Sequence, residues 1–510
     1  MTENILKYER YFFVLLLLAN LIPVWGVDYF MTGDGPAHLY NSNIVLQLLS
    51  EAPGPIASFF ELRTELIPNI GGHAILTFLN LLFDARTAEK IVYSLALVLL
   101  PLGIRYLLKA VSPYAVLWVY LAIPLVHNFC FYIGFQSFCL GLGLLFFSIG
   151  YYVRIQQSSS IRQYAWLAII IFVTTLFHLF ASAIALMAIG ILLIIDILSS
   201  KRFRVSNLAF LTIALLPSLV LGALFLLKNT GEFQLNNAPL SDLWTGIIKA
   251  RPLVTIDTIE TKYSVPYNLL LLSGIILGLI FRFGQRRAFG IRDFAWVTSL
   301  FLLILYFILP DKMASGSFVT VRLLLGAFVF MALSVSLFLK PHLLSYLLMA
   351  GSIFLNVKLI NYHYRKAKEL SADALAINIA SDYIPPQSTV VPLNYSYHWL
   401  HYNIGLYPGS EKPLIILDNY EASTAHFPVM WKPESFPDDL LGDFGYSKRP
   451  ELKISPYEDY SGHRVDAVIR WMYEPEITDS ITLITNKLLD DEFYRVYLSK
   501  DQEVEVHLRK

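Results

Sequence analysis

Asp34 stands in the run Gly33-Asp34-Gly35-Pro36-Ala37-His38, which combines a carboxylate, a turn and the opening of a helix. Pro36 suits the first turn of a helix that continues through Gln47, Leu48 and Leu49, so Asp34 falls at its N-terminus. The partial positive charge there favours the ionised carboxylate. That is the state a general base or a metal ligand needs. The same residue could simply cap the helix, as Asp often does. Residue types alone leave these two roles level. Asp28, at the end of the preceding apolar run, reads as a loop residue at the membrane edge.

A second polar set surrounds a later loop. Pro310-Asp311-Lys312-Met313-Ala314-Ser315-Gly316-Ser317, followed by Val321-Arg322, joins small residues to two cations. Backbone donors, Lys312 and the planar fork of Arg322 could hold a phosphate. Alternatively, Arg322 extends from a helix end to lipid headgroups. His127, Asn128 and His178 complete the polar groups at span ends. Interfacial histidines are more often satisfied structurally than used as ligands, so these gain meaning only by converging on Asp34. Cys130 and Cys139 lack the spacing of a metal site and are too few for a disulfide-built fold.

The elements that must position these residues are mostly apolar helices. Apolar residues make up 56% of the chain and charged ones only 15%, in long uninterrupted blocks that imply a membrane protein. Runs near twenty residues predict about eleven spans: Tyr11–Val27, Ile91–Leu108, Tyr114–Phe129, Phe135–Val153, Tyr164–Phe177, Leu179–Leu198, Leu208–Leu227, Tyr267–Phe281, Phe294–Leu309, Leu323–Leu339 and Leu343–Ile360. In this frame Lys7/Arg10, Arg105/Lys109, Arg154/Arg162, Lys201/Arg202/Arg204, Arg282/Arg286/Arg287/Arg292 and Lys340 share one side. The N-terminus is then inside and Asp34 outside. His73–Phe83 is too short to cross and carries His73, Thr77 and Asn80 on one face, as an interfacial helix would. Only His178 marks a turn between the Tyr164 and Leu179 runs.

Residues 1–360 therefore read as a membrane domain and 361–510 as an outer α/β domain. The latter is predicted to hold a helix from Arg365 to Tyr383, strands at Thr389–Leu393, Leu414–Leu417 and Val465–Ile469, and a closing hairpin of Tyr494–Leu498 with Val504–Leu508. Its aromatic stretch Tyr395–Tyr402 and the later Asp418-Asn419-Tyr420-Glu421 could bind sugar, although core packing explains such stripes as well. The balanced formal charge gives no footprint for nucleic acid. No acidic or basic residue falls near the middle of a predicted span, which argues against an ion-coupled transporter.

The first-loop Asp34, the helix after it, the Pro68-Asn69-Ile70-Gly71-Gly72-His73 entry to a second such helix, and Ala85-Arg86 before the second span together resemble the GT-C membrane glycosyltransferases. That class includes protein O-mannosyltransferases, the oligosaccharyltransferase catalytic subunit and transferases that add aminoarabinose to lipid A. The resemblance covers the layout of most of the chain through a short motif. It implies transfer of a sugar from a polyprenyl-phosphate or polyprenyl-diphosphate donor, usually with inversion, to a glycan, lipid or protein acceptor on the outer face. Asp34 matches the first-loop acid, which acts as base or metal partner.

Two departures matter. Gly35 follows Asp34 where a second acid is common, and His127-Asn128 stand where several relatives place a carboxylate. A divalent metal, Mg or Mn, is thus left open. The expected mechanism has Asp34 take the acceptor proton while Lys312 and Arg322 stabilise the phosphate, with His38 assisting through a hydrogen bond or a shared metal. Competing expectations are a lipid-linked-sugar binding or scaffold protein that lost the chemistry, and a polysaccharide polymerase or ligase. The membrane expected is the bacterial cytoplasmic one.

Overall fold

The computed structural model describes residues 2–510 except 53, 159, 200–204, 230–237, 285–288, 314–315, 340–342, 448 and 475–478. Lys201, Arg202, Arg204, Arg286, Arg287 and Lys340 of the predicted cation clusters, and Ala314 and Ser315 of the polar loop, lie outside the described residues.

Among the described residues nine helices are long and apolar enough to cross a membrane: Tyr8–Trp25, Ala85–Val111, Gln136–Ile155, Leu179–Ser199, Asn207–Lys228, Thr258–Gly284, Ile291–Ile308, Val319–Phe338 and Leu343–Tyr383. The chain is an integral, multi-pass membrane protein. Two of the eleven predicted runs fall short of a full crossing helix. Tyr114–Phe129 divides into a 3-10 turn at Pro113–Trp118, a helix at Val119–Ala122 and a second 3-10 turn at Ile123–Val126. Pro124, within the run, removes an amide donor and crowds the preceding turn, which disfavours a continuous α-helix there. The second, Ile161–Phe177, is helical but short, and ends where His178 takes an extended backbone (φ −161°, ψ 120°) before Leu179–Ser199 begins.

The chain divides into two compact units. The first comprises Met1–Ile22, Ile67–Gly72 and Tyr93–His363, and the second Pro23–Leu66, His73–Val92 and Tyr364–Lys510. At the centre of the first unit Val319–Phe338 is buried along nearly its whole length and packs beside Phe294–Ile308. Elsewhere in it, backbones approach closely: a Cβ on Gly103 would lie 2.4 Å from the Gly143 carbonyl, so only glycine permits that helix contact.

Among its described residues the second unit carries eight short strands: β1 Phe60–Leu62, β2 Thr389–Asn394, β3 Ile415–Ile416, β4 Val429–Trp431, β5 Gly445–Tyr446, β6 Ala467–Trp471, β7 Phe493–Leu498 and β8 Val504–Arg509. The main sheet runs β3-β2-β6-β8-β7, with β5 also on β2; β2 is parallel to β3, β5 and β6, while β6-β8 and β8-β7 are antiparallel. All six residues of β2 and all five of β6 are buried, as central strands covered on both faces require. The strands predicted in the last third of the chain are all present. β1 pairs with β4, joining the first loop to the C-terminal region through Phe60 opposite Trp431.

The first-loop helix Gly35–Leu48 is fastened to that region by buried polar bonds. Tyr40 donates its hydroxyl to the Leu414 carbonyl (3.0 Å) and accepts the Ile416 amide (2.8 Å), tying the helix to β3. Asn41 and Asn419 exchange amide bonds at 2.9 and 3.0 Å, and Asn43 donates to the Gly409 carbonyl at 2.7 Å. Gly409 admits the Tyr40 ring, since a Cβ there would lie 2.5 Å from it.

Candidate active site

Asp34 occupies the N-cap position of Gly35–Leu48, but its side chain makes no capping bond. The Gly35 amide donates instead to Thr32 Oγ1 at 3.0 Å, and the His38 amide to the main-chain carbonyl of Asp34 at 3.0 Å. The carboxylate is therefore engaged elsewhere. Asn403 Nδ2 donates to Asp34 Oδ1 (3.3 Å) and to the Gly33 carbonyl (2.9 Å), which fixes the turn and the acid together. Tyr420 supplies a second side-chain hydrogen bond. Burial, with the charges of Asp34 and Glu421, pushes the Tyr420 hydroxyl up, so it remains a donor to the carboxylate.

One turn along the same helix, His38 faces Glu421 and His73. Glu421 Oε1 contacts His38 Nδ1, and Glu421 Oε2 lies 3.1 Å from His73 Nε2. All three side chains are buried. The imidazoles meet edge to face with centroids 4.7 Å apart, and Phe427 packs against both. Burial alone would raise the Glu421 carboxyl, but the two histidines hold it at about 2, so it is ionised. Burial lowers His73, which stays neutral beside it. The nearest donor atoms of the three lie within 4.8 Å of one another, a set able to hold a metal ion.

Asp418, three residues before Glu421, is pushed up to about 7 by burial. Its charge and that of Asp34 both act on Tyr402. Two carboxylates with different environments thus flank the same aromatic residue, one a hydrogen-bonded acceptor and the other poised to exchange a proton near neutrality.

Asp34 and His38 are the two predicted site residues that the second unit brings together; the other five belong to the first unit. His127 is fully buried, with Nε2 3.1 Å from the Asn20 carbonyl and Nδ1 3.3 Å from the Tyr132 hydroxyl. Asn128 caps Phe129–Tyr132 through the Phe131 amide and donates to the Leu125 and Val126 carbonyls. His178 Nδ1 accepts the Phe180 amide at 3.1 Å. Lys312 is exposed. Arg322 is buried with its guanidinium 4.2 Å from the centroid of the Phe135 ring, while Asp311 closes the loop by accepting the Thr320 amide at 3.0 Å.

Sequence reasoning named Asp418–Glu421 only as a run that could bind sugar and His73 only as part of an interfacial helix face, and it set none of them beside Asp34 and His38. The polar face of the second first-loop helix and the Asp418–Glu421 run were both visible, but their convergence depends on how the helix Gly35–Leu48 seats against β3. Asn403 carried no signal, and Tyr420 none beyond its place in the Asp418–Glu421 run.

No protein-family profile matches the chain, and no curated protein matches it by sequence. Solved structures do match. ArnT from Cupriavidus metallidurans bound to undecaprenyl phosphate superposes with a TM-score of 0.57 at 10% identity, covering 98% of both chains. The same protein in its apo state gives 0.53 at 9% identity and 98% of each chain. A looser likeness, TM-score 0.41 at 12% identity over 99% of this chain and 75% of the other, is to the archaeal oligosaccharyltransferase AglB from Archaeoglobus fulgidus in complex with an inhibitory peptide and a dolichol-phosphate. Over nearly its whole length, this chain shares the fold of ArnT.

Proposed function

We propose that this protein is a membrane glycosyltransferase that moves a sugar from a polyprenyl-phosphate or polyprenyl-diphosphate donor to an acceptor hydroxyl. The observation that carries the reading is Asp34: a carboxylate at the head of the first-loop helix, released from capping by Thr32 and oriented by Asn403 and Tyr420. The fold shared with an enzyme crystallised on undecaprenyl phosphate supports the donor class.

In the proposed reaction Asp34 takes the proton of the acceptor hydroxyl as its oxygen bonds to the anomeric carbon. The bond from that carbon to the lipid phosphate oxygen breaks, and the phosphate leaves with the electron pair. Attack opposite the leaving group inverts the anomeric centre. Asn403 and Tyr420 hold the carboxylate on course, an orientation worth several kcal/mol in favourable cases, or about 10²–10⁴ in rate for the base itself. Lys312 and Arg322 are the cations proposed for the lipid phosphate. A divalent cation held by His38, His73 and Glu421 would place its charge one helical turn from Asp34. The orientation proposed keeps the N-terminus inside and residues 361–510 on the outer face of a bacterial cytoplasmic membrane.

The test uses purified protein in lipid nanodiscs and a panel of radiolabelled polyprenyl-phosphate sugars. Wild type should release sugar from at least one donor, and a folded Asp34→Asn variant should lose at least about a hundredfold in rate. Equal turnover by the variant overturns the role of Asp34. Binding of every lipid with turnover of none would instead favour a lipid-linked-sugar binding protein of this fold.

A further inference from the structure

We propose that His38, His73 and Glu421 are ligands of a zinc-class divalent cation that fastens the first-loop helices to the C-terminal region. The inference stands apart from the glycosyltransferase reading, because metal content is measured on the chain whether or not any donor is consumed.

The donor set is the first argument. It offers two imidazole nitrogens and one carboxylate, with the donor atoms within 4.8 Å of one another. Nitrogen donors suit zinc, cobalt or iron, whereas magnesium and calcium take oxygen ligands almost exclusively. An all-protein magnesium site would not be built this way. Three protein ligands also leave an open position in a tetrahedral shell.

Charge is the second. Glu89 is 2% exposed, and neither of its carboxylate oxygens has a hydrogen-bond partner. Its charge acts on His38. The adjacent Lys90 directs its ammonium to the Val27 carbonyl. A buried carboxylate without a hydrogen bond is costly. A cation at the three ligands would place positive charge near this buried carboxylate and offset that cost.

Burial and reach are the third. The three ligands are 5, 3 and 0% exposed, and Phe427 covers both imidazole rings, so water competes poorly for the ion. His73 and Glu421 are 348 residues apart in sequence. A clip across such a separation removes much loop freedom from the unfolded chain, which makes metal affinity a contribution to folding. Because His38 and Asp34 share a helix, the clip also sets where Asp34 stands.

Elemental analysis of the purified full-length protein should find about one zinc-class ion per chain. Cobalt substitution should give the visible d–d bands of a nitrogen-containing low-coordinate site. Both signals should vanish in His38→Ala and His73→Ala and persist in Asp34→Asn, with Glu421→Asp retaining metal at lower affinity. Chelation should lower the wild-type melting temperature by about 5 °C or more and leave that of His73→Ala unchanged. Should the alanine variants fail to fold, the wild-type cobalt spectrum and chelator response decide alone. Wild type that takes up neither zinc nor cobalt and melts identically with chelator overturns the proposal. Metal retained by a folded His38→Ala/His73→Ala double variant does so as well.

Discussion

Asp34 and Asp418 both act on Tyr402 from different environments. Asp34 is held by Asn403 and Tyr420, while burial raises Asp418 to about 7. The Tyr420→Phe variant removes a donor from the Asp34 carboxylate and should lower kcat about tenfold or more with little change in donor KM. A change confined to KM would place Tyr420 in substrate binding instead. Asp418 predicts a stability effect with a definite sign. Its folded pKa exceeds the unfolded value of about 3.9, so its contribution is intact at low pH and is lost as pH rises through about 7. Asp418→Asn should therefore melt increasingly above wild type from pH 4 to pH 7, the gain then levelling off. A difference independent of pH would mean that Asp418 is not buried as an acid. Asp34 and His38 could be named as candidates because a turn, a proline and a helix start fall together between Gly33 and His38. Glu421 and His73 could not be set beside them, since each is an ordinary polar residue until the fold brings it to His38.

At the level of elements, the Gly35–Leu48 helix is positioned by Tyr40, which bridges the Leu414 carbonyl and the Ile416 amide. Tyr40→Phe leaves both backbone groups without that partner and should cost about 1–3 kcal/mol in unfolding free energy. Gly409→Ala would drive a Cβ into the Tyr40 ring and should shift the same helix. Chemical or thermal denaturation in a fixed detergent measures both; unchanged stability in Tyr40→Phe would show that the helix is held by other contacts. Strands β2, β3 and β6 and the β7-β8 pair could be read in advance because β-branched and apolar residues cluster between turn signals. The two- and three-residue strands β1, β4 and β5 carry no such pattern. The apolar run after Pro113 looked like a span by composition, yet it breaks into 3-10 and α segments with Pro124 inside it. Hydropathy records the environment of a segment, and backbone donors decide whether it can be one helix.

For the whole molecule, the apolar blocks specified a multi-pass membrane protein, and nine long apolar helices among the described residues bear this out; the layout implied by the first-loop resemblance agrees with the fold shared with ArnT. What patterning could not supply is the division into units: the second gathers residues 23–66 and 73–92 with the C-terminal region, a grouping that depends on long-range pairs such as β1 with β4. The proposed orientation predicts that a cysteine at Tyr397, which is 65% exposed, reacts with a membrane-impermeant thiol reagent in intact spheroplasts, against a background of two buried native cysteines. Labelling only after lysis would reverse the topology. The central claim is that Asp34 removes a proton from an acceptor while a polyprenyl phosphate departs. Its most direct test is single-turnover release of polyprenyl phosphate from a bound, labelled donor, comparing wild type with Asp34→Asn at matched donor occupancy. The account predicts equal donor binding and release slowed at least about a hundredfold in the variant; equal release rates would contradict it.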